Sequence, residues 1–463
     1  MAKILIIGAG VAGLSAALEL RSKGHTVSIV EAKNEIGGRA FSEKIEKIYF
    51  DWGAEAIEAK SDAAAWVLND DAYNTVNPPA NYVPAQNPLP VAIPNADGKL
   101  YQLPFLQNGA RQLLNTGAAV TPAHSTTVQD NIDAVSGNFD VVNDDYFDNV
   151  NIQLGTETLG AVQFRQAQLE TWQVQSDAVE VNPPWGSVHN FVWANDYNDN
   201  RGNDKAYVIN QVLGKRVQKW AIANNLDGLG GLVTKSTAVQ RAWNTGGNTV
   251  TVRTAGHDDQ VFDAVLVTVP TDKVKAPSDA QIAPDDLYLP DLSAYDIAPF
   301  RSNPLGCYFK LLITGLDGVQ VPSPGKQVMV TFESGYSQFT IFQNASASQI
   351  FLHAPGDTGR VMSDNHPLAA EVLVQAIKRL NNPYVIPDNV TAYIFDWCKE
   401  PYYGGAYSTT RPGEWASRAA LAAFKNGRIY YAGEAASQRW YGQVAGAMES
   451  GNATALRMHA DLA

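Results

Sequence analysis

The feature that most constrains this chain is its opening. A short apolar run, Lys3-Ile4-Leu5-Ile6-Ile7, leads directly into Gly8-Ala9-Gly10-Val11-Ala12-Gly13. The run reads as a buried strand. Leu14 to Lys23 has helical spacing and closes at Gly24, a residue suited to the left-handed position after a helix. Thr26 to Val30 is rich in β-branched residues and ends on Glu31. Strand, helix and strand within about 30 residues form the unit of a parallel sheet. Gly8 permits the tight turn, Gly10 lets backbone amides approach a pyrophosphate, and Gly13 allows helix and strand to pack closely, with Ala12 in the first helical turn. The helix N-terminus favours negative charge. Glu31 follows Gly13 by 18 residues. A carboxylate there accepts hydrogen bonds from a ribose diol and disfavours a 2′-phosphate, so the pattern predicts a dinucleotide other than NADP.

The remaining composition narrows the class. The chain has 463 residues, 45% hydrophobic and 17% charged, with a net charge of −13. That is ample for large cores, and at roughly 150 residues per domain it suggests two or three domains. The acidic balance argues against nucleic acid, which needs clustered Lys and Arg. Two cysteines, Cys307 and Cys398, exclude a disulfide scaffold and leave a bridge between them undecided. No run reaches the ~20 apolar residues that span a bilayer, and the first residues do not read as a signal peptide. The expectation is a cytoplasmic protein with no membrane partner. The Asp196 to Tyr207 stretch lacks the glycine and glutamate of a calcium loop, and the histidines show no metal spacing, so no metal is expected. Asn344-Ala345-Ser346 fits a glycosylation sequon, and no nucleophile elbow is present.

Along the chain, residues 60–205 are rich in Asn, Asp, Pro and Gln and read poorly. Ala63 to Leu68 suggests a helix, and Tyr101 to Leu114 a helix start. Tyr207 to Asn224 has helical spacing. Asn248 to Thr254 alternates, and Phe262 to Pro270 is an apolar strand. Strand-style alternation recurs in Cys307 to Thr314, Gln327 to Phe332, Gln338 to Phe342 and Gln349 to His353. Leu368 to Leu380 reads as an amphipathic helix, Val390 to Trp397 as a strand, Gly427 to Ala432 as a buried strand and Gly442 to Ala460 as a glycine-punctuated helix.

Other segments separate FAD from NAD. Ile36-Gly37-Gly38-Arg39 and Asp51-Trp52-Gly53-Ala54 follow Glu31. Glycines there let backbone approach a ring system, and Arg39 neutralises phosphate or flavin charge. Downstream, a strand ends in Gly433-Glu434, where a carboxylate suits a ribityl chain. Gly442, Gly446-Ala447 and Ser450-Gly451 then mark a helix start aimed at a flavin carbonyl oxygen. A nicotinamide enzyme needs none of these.

In these motifs, with Val267-Thr268-Val269-Pro270 and Ala432 to Gly451, the chain resembles the FAD-dependent amine oxidases, the group of monoamine oxidases, polyamine oxidases and L-amino acid oxidases. The resemblance covers about the first 58 residues, then roughly 205–310 and 395–460. It implies an α/β fold with a discontinuous Rossmann-like FAD domain (1–60, 215–285 and 396–463) and an α+β substrate domain (61–214 and 286–395). It assigns Gly8, Gly10, Ala12, Gly13, Glu31, Gly38, Arg39, Val239, Trp397, Gly433 and Glu434 to the cofactor. Pro304 to Lys310 looks like the family's strand carrying a lysine beside flavin N5, so Lys310 is the catalytic candidate; the competing reading is a surface lysine on a strand. Tyr407 matches one wall of the family's aromatic cage. The other wall falls on Gln443, which leaves Trp440 and Tyr441 as further candidates. Ala406 stands where covalent members carry cysteine, so FAD should be non-covalent.

The implied reaction is hydride transfer from an amine carbon to flavin N5. The imine hydrolyses to a carbonyl product, and O2 is reduced to H2O2. The alternative is an L-amino acid oxidase giving a 2-oxo acid and ammonia. The arginine that such enzymes carry just after the Gly-Ala pair is missing here, where Glu55 and Ala56 follow Gly53-Ala54. Arg439, Arg301, Arg111 and Arg165 are substitutes for it. Further alternatives are a flavin-dependent isomerase or desaturase of an apolar substrate, and a non-enzymatic flavin scaffold. Association as a homodimer is left open.

Overall fold

The computed structural model describes residues 1–45, 48–54, 212–315, 391–411, 414 and 416–463, with residue 363 and the short strands named below. The expected helices at 63–68 and 368–380, the 196–207 loop, the 344–346 sequon and Arg165 lie outside them.

Lys3–Ile7 is the hub of a six-stranded sheet. It pairs in parallel with Thr26–Val30 on one side and Ala264–Val267 on the other. Val233–Thr234 and Ile429–Tyr431 extend the sheet in parallel, and the edge strand Lys425–Asn426 runs antiparallel. A parallel sheet is covered on both faces, which is why its strands read as continuous apolar runs. Alternation along the first strand feeds two cores. Ile4 and Ile6 join Leu14, Leu20, Leu266 and Tyr430 beneath the helices Val11–Ser22, Leu213–Ala223 and Val444–Leu462. Leu5 and Ile7 join Val265, Val267, Phe300 and Tyr431 on the other face.

A second, five-stranded sheet carries the hairpin Val239–Thr245 and Thr249–Thr254, then Gln260–Phe262, with Leu287–Tyr288 and Val274–Lys275 on its far side. A third is antiparallel, in the order Val328–Thr331, Gln338–Gln343, Ile350–Pro355, Tyr308–Thr314, Thr391–Asp396. Every residue of Tyr308–Thr314 is buried. The fold is thus α/β, a Rossmann-like sheet joined to an antiparallel one.

Three local expectations are corrected. The helix start in Tyr101 to Leu114 is a pair of antiparallel strands, Pro104–Gln107 and Ala110–Leu113. The dipeptide between them, Asn108-Gly109, is a strong hairpin signal that outweighs helical spacing. In Tyr207 to Asn224 the helix begins only at Leu213, and Val208–Ile209 pairs with Ala80–Asn81. Tertiary anchors set that start: Val212 N donates to Asp51 Oδ2 at 2.8 Å and Gly214 N to Ser42 Oγ at 2.8 Å. The first helix starts at Val11, not Leu14, and Gly24 follows it at φ +83 as expected. Among the described residues no helix is long and apolar enough to cross a membrane.

The first and last helices meet closely. A Cβ on Gly451 would lie 2.3 Å from Ala12 O, and Ser15 Oγ donates to Met448 O at 3.2 Å. At the far end of this contact His25, 7% exposed, accepts from Ala2 N at 3.2 Å, and its Nε2 lies 3.0 Å from His459 Nδ1. Burial, then the charges of His459 and the N-terminal amine, hold the His25 pKa below its ordinary value of 6.5. The folded state therefore prefers neutral His25. This contribution is fully present above the unfolded value and is lost as pH falls through the folded one. The melting temperature should decline below pH ~6.5, and His25→Gln should flatten that decline in a thermal-denaturation series.

Candidate active site

One cavity of about 310 Å³ collects most of the sequence-predicted residues on its walls. The glycine-rich turn enters it first. Gly10, Val11 and Ala12 line the cavity where the first helix begins, and no side chain caps that helix. Its first-turn amides therefore form an anion-binding stretch. Gly8 has φ +108, and a Cβ there would sit 2.7 Å from Thr268 Oγ1. Gly13 is not on the wall. Its Cβ would lie 2.1 Å from Gly8 O, which is the helix–strand packing role the spacing implied. A second glycine loop closes against the first: Gly37 N donates to Ala9 O at 2.9 Å, and a Gly10 Cβ would be 3.9 Å from Gly38 Cα.

Two buried carboxylates face the cavity. Glu31 accepts from Ala9 N at 2.8 Å and Lys33 N at 2.9 Å. Burial raises its pKa, only partly offset by those hydrogen bonds and by the Lys33 charge. Glu434 is more heavily held. Oε1 accepts from Arg39 at 2.7 Å and Ser408 N at 3.1 Å; Oε2 accepts from Ser408 Oγ at 2.6 Å and Gly442 N at 2.8 Å. Burial pushes its pKa up, but the Arg39 and Arg418 cations outweigh that and hold it low. Arg418 is fully buried, donates to Ser408 Oγ at 2.9 Å and Ala435 O at 3.1 Å, and has its pKa pushed down to about 10 by burial.

Lys310 is no surface lysine. It is 4% exposed and lines the cavity. Its Nζ donates to Gly53 O at 2.6 Å and Asp51 O at 3.1 Å. Trp397 Nε1 donates to the carbonyl between them, Trp52 O, at 2.8 Å. Asp51-Trp52-Gly53 is thus a row of carbonyl acceptors for the third sheet. The Asp51 carboxylate is turned elsewhere, to Ser42 Oγ and Val212 N. Gly53 admits no side chain, since a Cβ would lie 2.0 Å from Arg39 O.

Tyr407, Gln443, Val239, Trp397, Gly38, Arg39 and Gly433 also reach the cavity. Trp440 and Tyr441 are not among the described residues that line it. Trp440 is 4% exposed and packs in the core under the first helix, with the Arg439 guanidinium 5.0 Å over its ring. Tyr441 lies 4.3 Å beneath Arg418. Their backbone runs into Gly442, whose φ of +72 turns the chain so that Gln443, not its predecessors, faces inward. Among the described residues the Tyr308 ring meets Tyr407 at a centroid distance of 6.0 Å. Tyr308 sits two residues before Lys310, on the same strand face, and period-2 spacing would have found it.

Sequence reasoning also missed Lys273, Asp285, Tyr402 and Tyr403 on the wall. Lys273 pairs with Asp285 at 2.5 Å, and Tyr402 N donates to the same carboxylate at 3.0 Å. No local pattern marks these residues, because segments far apart in sequence bring them together. Of the proposed carboxylate-binding arginines, Arg301 is engaged by Asp279 at 2.6 Å, and neither it nor Arg439 is on the described wall. Arg111 lies on the strand Ala110–Leu113.

Residues 11–459 match the family of flavin containing amine oxidoreductases. The fold is similar to cyclohexylamine oxidase from Brevibacterium oxydans IH-35A, with a TM-score of 0.64 and 16% identity over 100% of this chain and 99% of that one. It is equally similar to a putrescine oxidase bound to putrescine, with a TM-score of 0.64 and 16% identity over 99% of each chain. In sequence, an L-amino-acid oxidase of Siganus canaliculatus is 46% identical over 65 residues, 14% of this chain and 12% of that enzyme. A 4,4'-diapophytoene desaturase of Staphylococcus aureus (strain Newman) is 49% identical over 55 residues, 12% of this chain and 11% of that one. The alignments thus span about a tenth of those relatives' lengths.

Removing the Glu434 carboxylate leaves buried Arg418 and part-buried Arg39 without their counter-charge. Glu434→Ala should cost about 3–5 kcal/mol, the scale for breaking a buried ion pair, and should lower the affinity for flavin. Chemical denaturation and flavin retention on gel filtration check this.

Proposed function

The chain belongs to the flavin containing amine oxidoreductase family and is an FAD-dependent oxidoreductase, and we propose that its substrate is an amine rather than an amino acid. The observation that carries this reading is the state of the cavity's cations. Among the described wall residues, Arg39 is paired with Glu434, Lys273 with Asp285, and Lys310 rests on two carbonyls. None is presented to a substrate carboxylate. An uncharged amine needs no such clamp, and the Tyr308 and Tyr407 rings give its carbon skeleton an apolar wall.

When bound, FAD supplies the two-electron acceptor for the amine's α-hydrogen and delivers the electrons to O2, giving H2O2. The chain's residues fit the cofactor. The uncapped amides at Gly10–Ala12 suit the pyrophosphate and Glu31 the ribose diol, while Glu434, its acceptor positions filled by Arg39, Ser408 and Gly442, holds the loops that face the flavin. Val239 and Trp397 provide apolar contact. Ala406 carries no thiol where covalent members carry cysteine, and Cys398 is not on the described wall, so attachment is non-covalent. In this reading residues 1–60, 215–285 and 396–463 hold the cofactor, and 61–214 and 286–395 shape the substrate site.

The protein's part in the reaction is orientation and electrostatics. Tyr308 and Tyr407 bracket the amine, and Gln443 offers an amide where other members place a second ring. The Lys310 ammonium, oriented by Gly53 O and Asp51 O, is a fixed donor in a water-poor setting, where such a group is worth most. The imine leaves and hydrolyses to a carbonyl compound and ammonia or an amine.

A peroxide-coupled screen of amines beside their parent L-amino acids tests the reading. Phenethylamine-type substrates should give peroxide and phenylalanine should not. The reverse result selects the L-amino acid oxidase, whose short sequence similarity is noted above. Lys310→Met should slow turnover or flavin reoxidation by about tenfold or more in stopped-flow absorbance, from loss of one preorganised donor. An unchanged rate removes that role.

A further inference from the structure

The only two cysteines of the chain, Cys307 and Cys398, are bonded to each other. Their position is not arbitrary. The strands Tyr308–Thr314 and Thr391–Asp396 are antiparallel, with Phe309 opposite Asp396. Trp397 N donates to Tyr308 O at 3.0 Å, which continues the ladder by one residue. In the same register Cys307 faces Cys398 at the next, non-hydrogen-bonded position, where strands come closest. Their Cα atoms are 5.0 Å apart, inside the span a disulfide bridges. The pair closes a loop between residues 91 apart and lies at the mouth of the strands that carry Tyr308, Lys310 and Trp397 into the cavity. Alternation puts the two sulfurs on the opposite face of the strand pair from those three side chains. Cys307 is 5% exposed, whereas Cys398 is half-buried and open to a small oxidant.

We propose that Cys307 and Cys398 form a redox modification site, a dithiol that the hydrogen peroxide of the enzyme's own turnover converts to a disulfide. The source of peroxide rests on the amine-oxidase reading above; the peroxide-sensitive pair does not. The accessible Cys398 thiolate attacks peroxide, breaking the O–O bond, and becomes a sulfenic acid with release of hydroxide. The Cys307 thiol then attacks that sulfur, forming the S–S bond and releasing water. Two thiols are oxidised by two electrons, and one peroxide is reduced to two waters. The Asp396 carboxylate lies within 4.8 Å of both sulfurs. Its negative charge disfavours the thiolate and so slows closure. Once closed, the bond fixes the register of the strands that place Tyr308, Lys310 and Trp397.

The test uses the intact holoenzyme, reduced with a phosphine and freed of reductant without air. Thiol titration of denatured aliquots and intact mass follow the pair, with no third cysteine to confuse the count. Stoichiometric hydrogen peroxide should remove both thiols and lower the mass by two hydrogens. Aerobic turnover of an amine should do the same, slowed at least about fivefold by catalase. The closed form should melt about 5 °C or more above the reduced one. Two thiols that persist under added peroxide overturn the proposal. Closure that ignores catalase makes O2 the oxidant and overturns the peroxide assignment. If no amine yields peroxide, the functional reading fails, and the added-peroxide arm still decides the pair. Cys398→Ser, with one thiol left, should show no such mass loss; a mass loss there would also overturn it.

Discussion

The Glu434 carboxylate is the interaction on which the rest of the site depends. Four hydrogen bonds from Arg39, Ser408 and Gly442 converge on it, and Arg418 supports it from behind through Ser408. Each donor comes from a different part of the chain. Arg39 belongs to the loop after the first β-α-β unit, Ser408 to the segment after the third sheet, and Gly442 to the approach to the last helix. A buried charge tolerates no vacancy among its partners, because an unpaired ion in the interior is far costlier than the pair is stabilising. The geometry of three distant loops is therefore fixed by one charge.

A neutral version of the same logic fixes the lysine strand. Asp51-Trp52-Gly53 presents successive carbonyls that Lys310 and Trp397 need. The side chain of Asp51 is used on the other side, at Ser42 and Val212. One tripeptide thus joins the parallel sheet's loops, the helix Leu213–Ala223 and the antiparallel sheet. The Gly405 approach completes the join, where a Cβ would meet Leu305 Cβ at 2.5 Å.

Much of this was legible in the sequence where chemistry and local pattern coincide. The glycine turn, Glu31, Arg39, Glu434, Lys310, Tyr407 and Gln443 all reach one cavity. They were readable because backbone approach, charge and strand period each restrict residue type. Trp440 and Tyr441 misled because a large aromatic next to a site serves equally well as packing, and only the left-handed turn at Gly442 decides which neighbour points in. Tyr101 to Leu114 misled because short apolar spacing does not separate helix from strand. Arg418 carried no signal at all: its meaning depends on Ser408 and Tyr441, ten and 23 residues away.

The order of strands in the parallel sheet has a consequence for how the protein is born. The hub strand Lys3–Ile7 is synthesised well before its neighbour Ala264–Val267, and that strand well before the one beyond it, Ile429–Tyr431. The edge of the hub strand that Ala264–Val267 covers therefore stays unpaired until that later strand has been made. Such long-range pairing is slow to form. The glycine turn at the end of the hub strand is therefore completed only after strands far apart in sequence have met.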